Sequence, residues 1–197
     1  MIKAVVFDCF GVFVGNPYKE RVAILDKENP KLAEQVRALN RATDRGLLSR
    51  EESLVEMADT LGMAPEVLAR EQDEGEVLNE RLVEYAKSLK GRYKLALLSN
   101  VSGRERLENR FRPHKLDDLF EVVVASGDEG FIKPEPEIYE ITSSRLGVDP
   151  SECLMVDDIE EFCAGAVSAG MQAIQFLSTD QAMADISLLL DRGGEKV

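Results

Sequence analysis

The sequence predicts an α/β protein: a parallel β-sheet with helices on both faces and a helical insert. Two observations carry the sheet. Five short apolar runs, Lys3 to Phe7, Lys94 to Leu98, Val122 to Ala125, Cys153 to Val156 and Gln172 to Phe176, read as buried strands. Beyond Gly91 these runs alternate with helical patterns, as βαβ units do. A third observation carries the insert. The first two runs are separated by a charged, helix-patterned stretch of roughly 70 residues, too long for a loop.

The opening strand follows from Ala4-Val5-Val6-Phe7, which stops at Asp8 and is followed by Gly11. In open α/β sheets the C-terminal strand edge is where ligands bind. In the insert, from about Pro17 to Lys90, Leu32, Val36 and Leu39 fall at helical spacing within Lys31 to Arg45. Ser49-Arg50-Glu51-Glu52 is a capping box that opens a helix through Leu54, Met57, Ala58 and Leu61, closed by Gly62. Pro65 fits the first turn of another helix, and Leu78, Leu82, Tyr85 and Leu89 mark one running to Gly91. Arg104 to Arg112, Pro136 to Leu146, Glu160 to Ala169 and Thr179 to Leu190 are the later helices, and 192–197 reads as a frayed tail.

At 197 residues, with 44% hydrophobic and 31% charged residues, the chain suits one globular domain bearing an insert. No apolar run approaches the ~18 residues of a membrane span. Met1-Ile2-Lys3 leads directly into the first strand, so no signal peptide is expected. Cys9, Cys153 and Cys163 are odd in number and lack metal-type spacing, so a reduced, cytoplasmic setting is expected. Cys9 reads as a small buried residue. A net charge of -13 argues against nucleic acid, because no basic block exists to displace phosphate counterions. It leaves room for a small phosphorylated substrate, since a lysine and a divalent metal can set the local field. His114, the only histidine, has no partner at a recognisable spacing and reads as structural.

Three further segments supply chemistry. Leu97-Leu98-Ser99-Asn100 ends the second core strand with a hydroxyl and an amide; it reads as a helix cap or, at a strand terminus, as a phosphate cradle. Phe131-Ile132-Lys133-Pro134-Glu135-Pro136 fixes one lysine between prolines ahead of a helix. Met155-Val156-Asp157-Asp158 ends a buried strand with paired carboxylates, whose repulsion a divalent cation relieves; Asp158 also suits a helix cap.

The order Asp8, Ser99, Lys133, Asp157-Asp158 on successive sheet edges resembles the haloacid dehalogenase (HAD) superfamily of hydrolases. The resemblance extends over essentially the whole chain, including the insert after the first strand and the helix with Ala164-Gly165-Ala166 and Ala169-Gly170-Met171. Asp44-Arg45-Gly46-Leu47-Leu48-Ser49 resembles the subset of phosphatases acting on sugar phosphates and related metabolites. The resemblance implies a Rossmann-like, doubly wound sheet of order 5-4-1-2-3. It implies a core of 1–15 and 91–197 with a helical cap of 16–90. It also implies a Mg²⁺-dependent phosphatase in which Asp8 is the nucleophile and forms an aspartyl-phosphate. Mg²⁺ would be held by Asp8, the Phe10 main-chain carbonyl and Asp158, with Asp157 nearby. Ser99 and the Asn100 backbone would bind phosphate oxygens, and Lys133 would neutralise charge.

Two positions depart from the family pattern. Phe10 stands where most phosphatases of the superfamily carry an aspartate that protonates the leaving oxygen, a loss worth ~10²–10⁴ in rate. Phe162 stands where an Asp or Asn commonly supports the metal, with Glu161 adjacent as a candidate substitute. Phe10 implies a preference for acyl, aryl or anomeric phosphates, whose leaving groups need little protonation. An aromatic residue at this position also occurs in 2-haloacid dehalogenases, which use no metal, but those lack a carboxylate pair like Asp157-Asp158. A non-catalytic relative binding a phosphometabolite or a protein is the third reading. Specificity is expected in the loop around Gly15, Asn16, Pro17 and Tyr18, with Lys19, Arg21, Arg41 and Arg45 as candidates for a second anionic group. Nothing in the pattern fixes an oligomeric state.

Overall fold

The computed structural model describes residues 1–191; the expected tail at 192–197 lies outside the described residues. Five strands, β1 (Ala4–Phe7), β2 (Lys94–Ser99), β3 (Val122–Ala125), β4 (Cys153–Asp157) and β5 (Gln172–Gln175), form one sheet of order β3-β2-β1-β4-β5. This is the expected order, and every pairing is parallel. Strand β1 is central, with Phe7 in register with Leu97 on one side and Val156 on the other. The residues that follow in each strand therefore emerge together at one edge. Asp8 N donates to Val156 O at 2.9 Å, which seats Asp8 beside Asp157.

Both sheet faces are covered, because all four residues of β1 are buried. One face holds Phe7, Phe13, Phe111 and Phe120, whose rings meet edge-on or tilted at centroid separations of 5.3 to 5.7 Å, a favourable aromatic arrangement. The other packs Val6, Leu98 and Met155 against α9 (Pro136–Leu146) and α10 (Glu160–Ser168) through Ile138, Tyr139 and Ala166.

The insert comprises α1 (Pro17–Glu28), α2 (Pro30–Asp44), α3 (Arg50–Leu61) and α4 (Pro65–Gly75), followed by α5 (Glu80–Leu89). The first four share a small core of Val22, Val36, Met57, Ala58 and Leu68. In contrast, Leu82, Val83, Ala86 and Leu89 of α5 pack with the sheet's own core. The Ser49–Glu52 capping box forms as expected, and Gly62 closes α3 in the left-handed conformation.

Three local expectations are corrected. Pro17 and Tyr18 belong to α1, not to a loop: Asn16 Oδ1 accepts from Lys19 N at 3.0 Å and Pro17 takes the first helical position. Asn-Pro is a start signal in its own right, obscured here because Val22 is the one buried residue of that helix. Leu78 lies ahead of α5 and bridges Val14. The short helices α7 (Leu116–Leu119) and α8 (Ser126–Glu129), together with α6 (Arg104–Arg110), complete the β2–β3 connection and the turn after β3, where only α6 was expected.

The two strands of chain that join insert and sheet pair with each other. Gly15 N donates to Val77 O at 3.1 Å, and Asn79 N to Phe13 O at 2.7 Å. A Cβ on Gly15 would lie 2.1 Å from the Gly75 carbonyl oxygen. Gly15→Ala is therefore expected to force the two connections apart, lowering stability by about 1–3 kcal/mol in urea or thermal unfolding. Wild-type stability in that variant would show the crossing to be loose.

Candidate active site

Asp8, Lys133 and Asp157 meet at the sheet edge. Lys133 Nζ lies 2.7 Å from Asp8 Oδ1 and 2.5 Å from Asp157 Oδ2, and donates to Leu98 O at 3.2 Å. The lysine is 1% exposed and Asp157 fully buried, so the ammonium has no access to water and its charge is matched within the protein. Burial alone would lower the lysine's pKa, but Asp157 and Asp8 outweigh it and hold the ammonium charged above the ordinary lysine range. Burial pushes Asp8 up to about 7, with Lys133 pulling downward and Asp157 pushing further up. Cys9, behind Asp8, is buried and its thiol is driven well above the usual range by desolvation, as a structural cysteine's is.

The lysine is positioned through its backbone. Asn100 Oδ1 accepts from Lys133 N at 2.8 Å while Asn100 Nδ2 donates to Lys133 O at 3.0 Å. The Asn100 amide is thus spent on the lysine loop. Ser99, 1% exposed, ends β2 beside it and lines the same cavity as Asp8.

Asp8, Asp157 and Asp158 each offer a carboxylate oxygen within 4.8 Å of the others, and they form the acidic group able to hold a metal among the described residues. Glu161 is not part of it. Asp158 Oδ2 meets Lys19 Nζ from α1 at 2.5 Å. Its Oδ1 is buried and meets no hydrogen-bond donor among the described residues. A buried carboxylate oxygen without a donor is costly, and a hard cation is its natural partner. The carboxylate donors suit Mg²⁺, and among the described residues the Phe10 carbonyl accepts a long bond from Asn16 Nδ2, at 3.3 Å. Gly11 keeps this space open: its φ is 99°, and a Cβ there would lie 2.4 Å from the Asp158 carboxylate.

A cavity of about 600 Å³ lies between insert and sheet edge, lined by Asp8, Phe10, Ser99, Asn100 and Lys133 and, from the insert, by Tyr18, Asp44 and Arg50. The Phe162 ring faces Lys133 Nζ at 5.1 Å from its centroid, a cation–π contact in place of a carboxylate. Of the four cations expected to be available, Lys19 pairs with Asp158, Arg21 with Glu71, Arg41 with Glu34 and Arg45 with Glu135. Sequence reasoning missed Arg106, whose guanidinium lies 5.0 Å from the Phe10 ring centroid and pairs with the buried Glu76. Only the fold brings α6 to that ring. His114 pairs with Glu80 at 2.8 Å, away from the site.

The chain belongs to the haloacid dehalogenase-like hydrolases: that family's model matches residues 2–170. A phosphorylated carbohydrates phosphatase of Thermotoga maritima is 37% identical over 92 residues, 47% of this chain and 41% of that protein. The chain spans 41% or less of the length of the curated relatives it matches. The HAD family enzyme BT-2542 of Bacteroides thetaiotaomicron, in complex with magnesium and inorganic phosphate, superposes with a TM-score of 0.70 at 22% identity, covering 89% of this chain and 94% of that one. The L-2-haloacid dehalogenase of Xanthobacter autotrophicus superposes with a TM-score of 0.62 at 24% identity, covering 91% of this chain and 80% of that one. The fold is thus common to a magnesium- and phosphate-bound family enzyme and a dehalogenase. No helix among the described residues is long and apolar enough to cross a membrane.

Lys133→Met tests the charge balance in metal-free protein. Removing the ammonium strands two buried carboxylates, and stability should fall by roughly 3–5 kcal/mol at pH 8. Asp8 holds its proton more tightly folded than unfolded, so its contribution favours folding increasingly as pH falls from about 7 towards 4. The deficit in Lys133→Met should accordingly shrink at pH 5. Equal deficits at both pH values in chemical denaturation would contradict this charge assignment.

Proposed function

We propose that the protein is a Mg²⁺-dependent phosphomonoester hydrolase acting on a small phosphorylated metabolite through an aspartyl-phosphate at Asp8. The observation that carries this reading is the trio of mutually close carboxylates Asp8, Asp157 and Asp158, the first two paired with Lys133, at the edge of a cavity. Asp8 Oδ attacks phosphorus, the bond to the leaving oxygen breaks, and water later hydrolyses the acyl phosphate. Lys133 holds Asp8 in position and places a fixed positive charge where the anionic phosphate arrives. Ser99 and the Asn100 main-chain N–H bind phosphate oxygens. Asp8, the Phe10 carbonyl and Asp158 would hold Mg²⁺, with Asp157 orienting Lys133 beside them. When bound, Mg²⁺ supplies positive charge that offsets repulsion between the carboxylate and the phosphate.

The phosphatase of Thermotoga maritima supports a phosphorylated carbohydrate as the substrate class. The division into a core of 1–15 and 91–197 and a cap of 16–90 belongs to the same proposal, with α5 as the part of that segment rooted in the core. The paired carboxylates weigh against a dehalogenase, because an anionic acid substrate would be repelled there without a cation. Three carboxylates and a lysine buried at one edge are costly unless a metal or a bound anion uses them.

The test is a panel of phosphate esters assayed with and without Mg²⁺. Turnover should require the metal, stop in EDTA, and fall by more than about a thousandfold in Asp8→Asn. Halide release from 2-haloacids that survives EDTA would establish the dehalogenase instead. Measurable Mg²⁺ binding with no turnover across the panel would establish the non-catalytic relative.

A further inference from the structure

We infer that Asp44, at the last turn of α2, is the general acid of this site, replacing from the insert the proton donor that Phe10 cannot be. The inference rests on the phosphatase reading above. Asp44 lines the same cavity as Asp8, Phe10 and Lys133. Its main chain is tied to the sheet side: Ser126 Oγ, which accepts from Val101 N at 2.9 Å, donates to Asp44 O at 2.5 Å. Its carboxylate is held by Asn40 Nδ2 at 2.7 Å, a neutral partner that leaves the second oxygen for a proton and a ligand. Position along the chain hid this residue, because α2 must fold back over the sheet edge before Asp44 and Asp8 share a cavity.

The electrostatic setting agrees. Enclosure raises the Asp44 pKa from the ordinary carboxylate range to about 7, against the downward pull of Arg106 and Lys133. Tyr18, Lys19 and Asp26 of α1, Arg37 and Arg41 of α2, Arg50 of α3, Glu76, and Glu161 of α10 line the same cavity, and Tyr18 is itself shifted up by burial and by Asp44. A carboxyl with a pKa near the working pH is protonated often enough to donate and basic enough to take the proton back.

The step balances. As Asp8 Oδ bonds to phosphorus and the phosphorus–oxygen bond to the leaving group breaks, Asp44 gives its proton to the departing alkoxide and becomes a carboxylate. Water then attacks phosphorus, the bond to Asp8 breaks, and the water proton returns to Asp44.

Asp44→Asn removes the proton and keeps the shape. The kcat for an alkyl phosphate should fall by ~10²–10⁴, while that for p-nitrophenyl phosphate, whose leaving group needs no proton, should change little; Asp44→Glu should recover part of the alkyl rate. Equal losses on both esters, or none on either, would overturn the role of Asp44 and leave the phosphatase reading intact. A wild-type protein inactive on every ester would overturn both. Carboxyl ¹³C NMR gives a readout independent of turnover: Asp44 should titrate near neutrality in metal-free protein, and titration at about 4 would overturn the inference. Melting temperature supplies the check on folding, with Asp44→Asn expected to melt above wild type at pH 8, where the enclosed carboxylate is charged and disfavours folding.

Discussion

One buried ammonium organises the catalytic edge of this protein. Lys133 sits between Asp8 and Asp157 with almost no exposure to water, and its charge is what allows two carboxylates to stand side by side at the end of a hydrophobic sheet. Desolvation makes each member expensive alone, so the three are stable as a set and costly to break singly. The surroundings serve that set. Asn100 clamps the lysine backbone from both sides, the register of β1 with β4 delivers Asp8 next to Asp157, and Asp158 faces the space that Gly11 leaves open.

The insert completes the site from above. It has its own small core, yet its contacts to the sheet edge are polar and specific: Lys19 reaches Asp158, Arg45 reaches Glu135, and the end of α2 is fastened through Ser126. A cavity formed this way places groups from distant parts of the chain around one bound molecule. The sheet edge and the helices above it thus both contribute side chains to its lining.

Much of this was legible in the residues. Apolar runs ending in Asp8, Ser99 and Asp157 gave strands and site together, because a buried strand and an abrupt polar stop are both local features. Lys133 was legible because its flanking prolines fix the backbone. The helix starting at Pro17 was less so, since its buried face amounts to Val22 alone and tertiary packing, not pattern, defines it. Arg106 over the Phe10 ring was illegible in principle, and Asp44 was legible as the start of a phosphatase-like segment but not as a group lining the cavity. Their roles arise only when α6 and α2 are folded over the sheet edge, and no spacing in the chain encodes that approach. The four basic residues singled out in the insert each meet a carboxylate once folded, and Lys19 and Arg41 also line the cavity.

The central claim is that the Asp8 carboxylate itself takes the phosphoryl group. Rapid mixing with Mg²⁺ and substrate, followed by borohydride reduction and peptide mass spectrometry, reads this directly, since an acyl phosphate is reduced to the alcohol and a free carboxylate is not. Homoserine at position 8, dependent on substrate, is the expected result. Phosphate release at full rate with Asp8 recovered unchanged at every mixing time would contradict it.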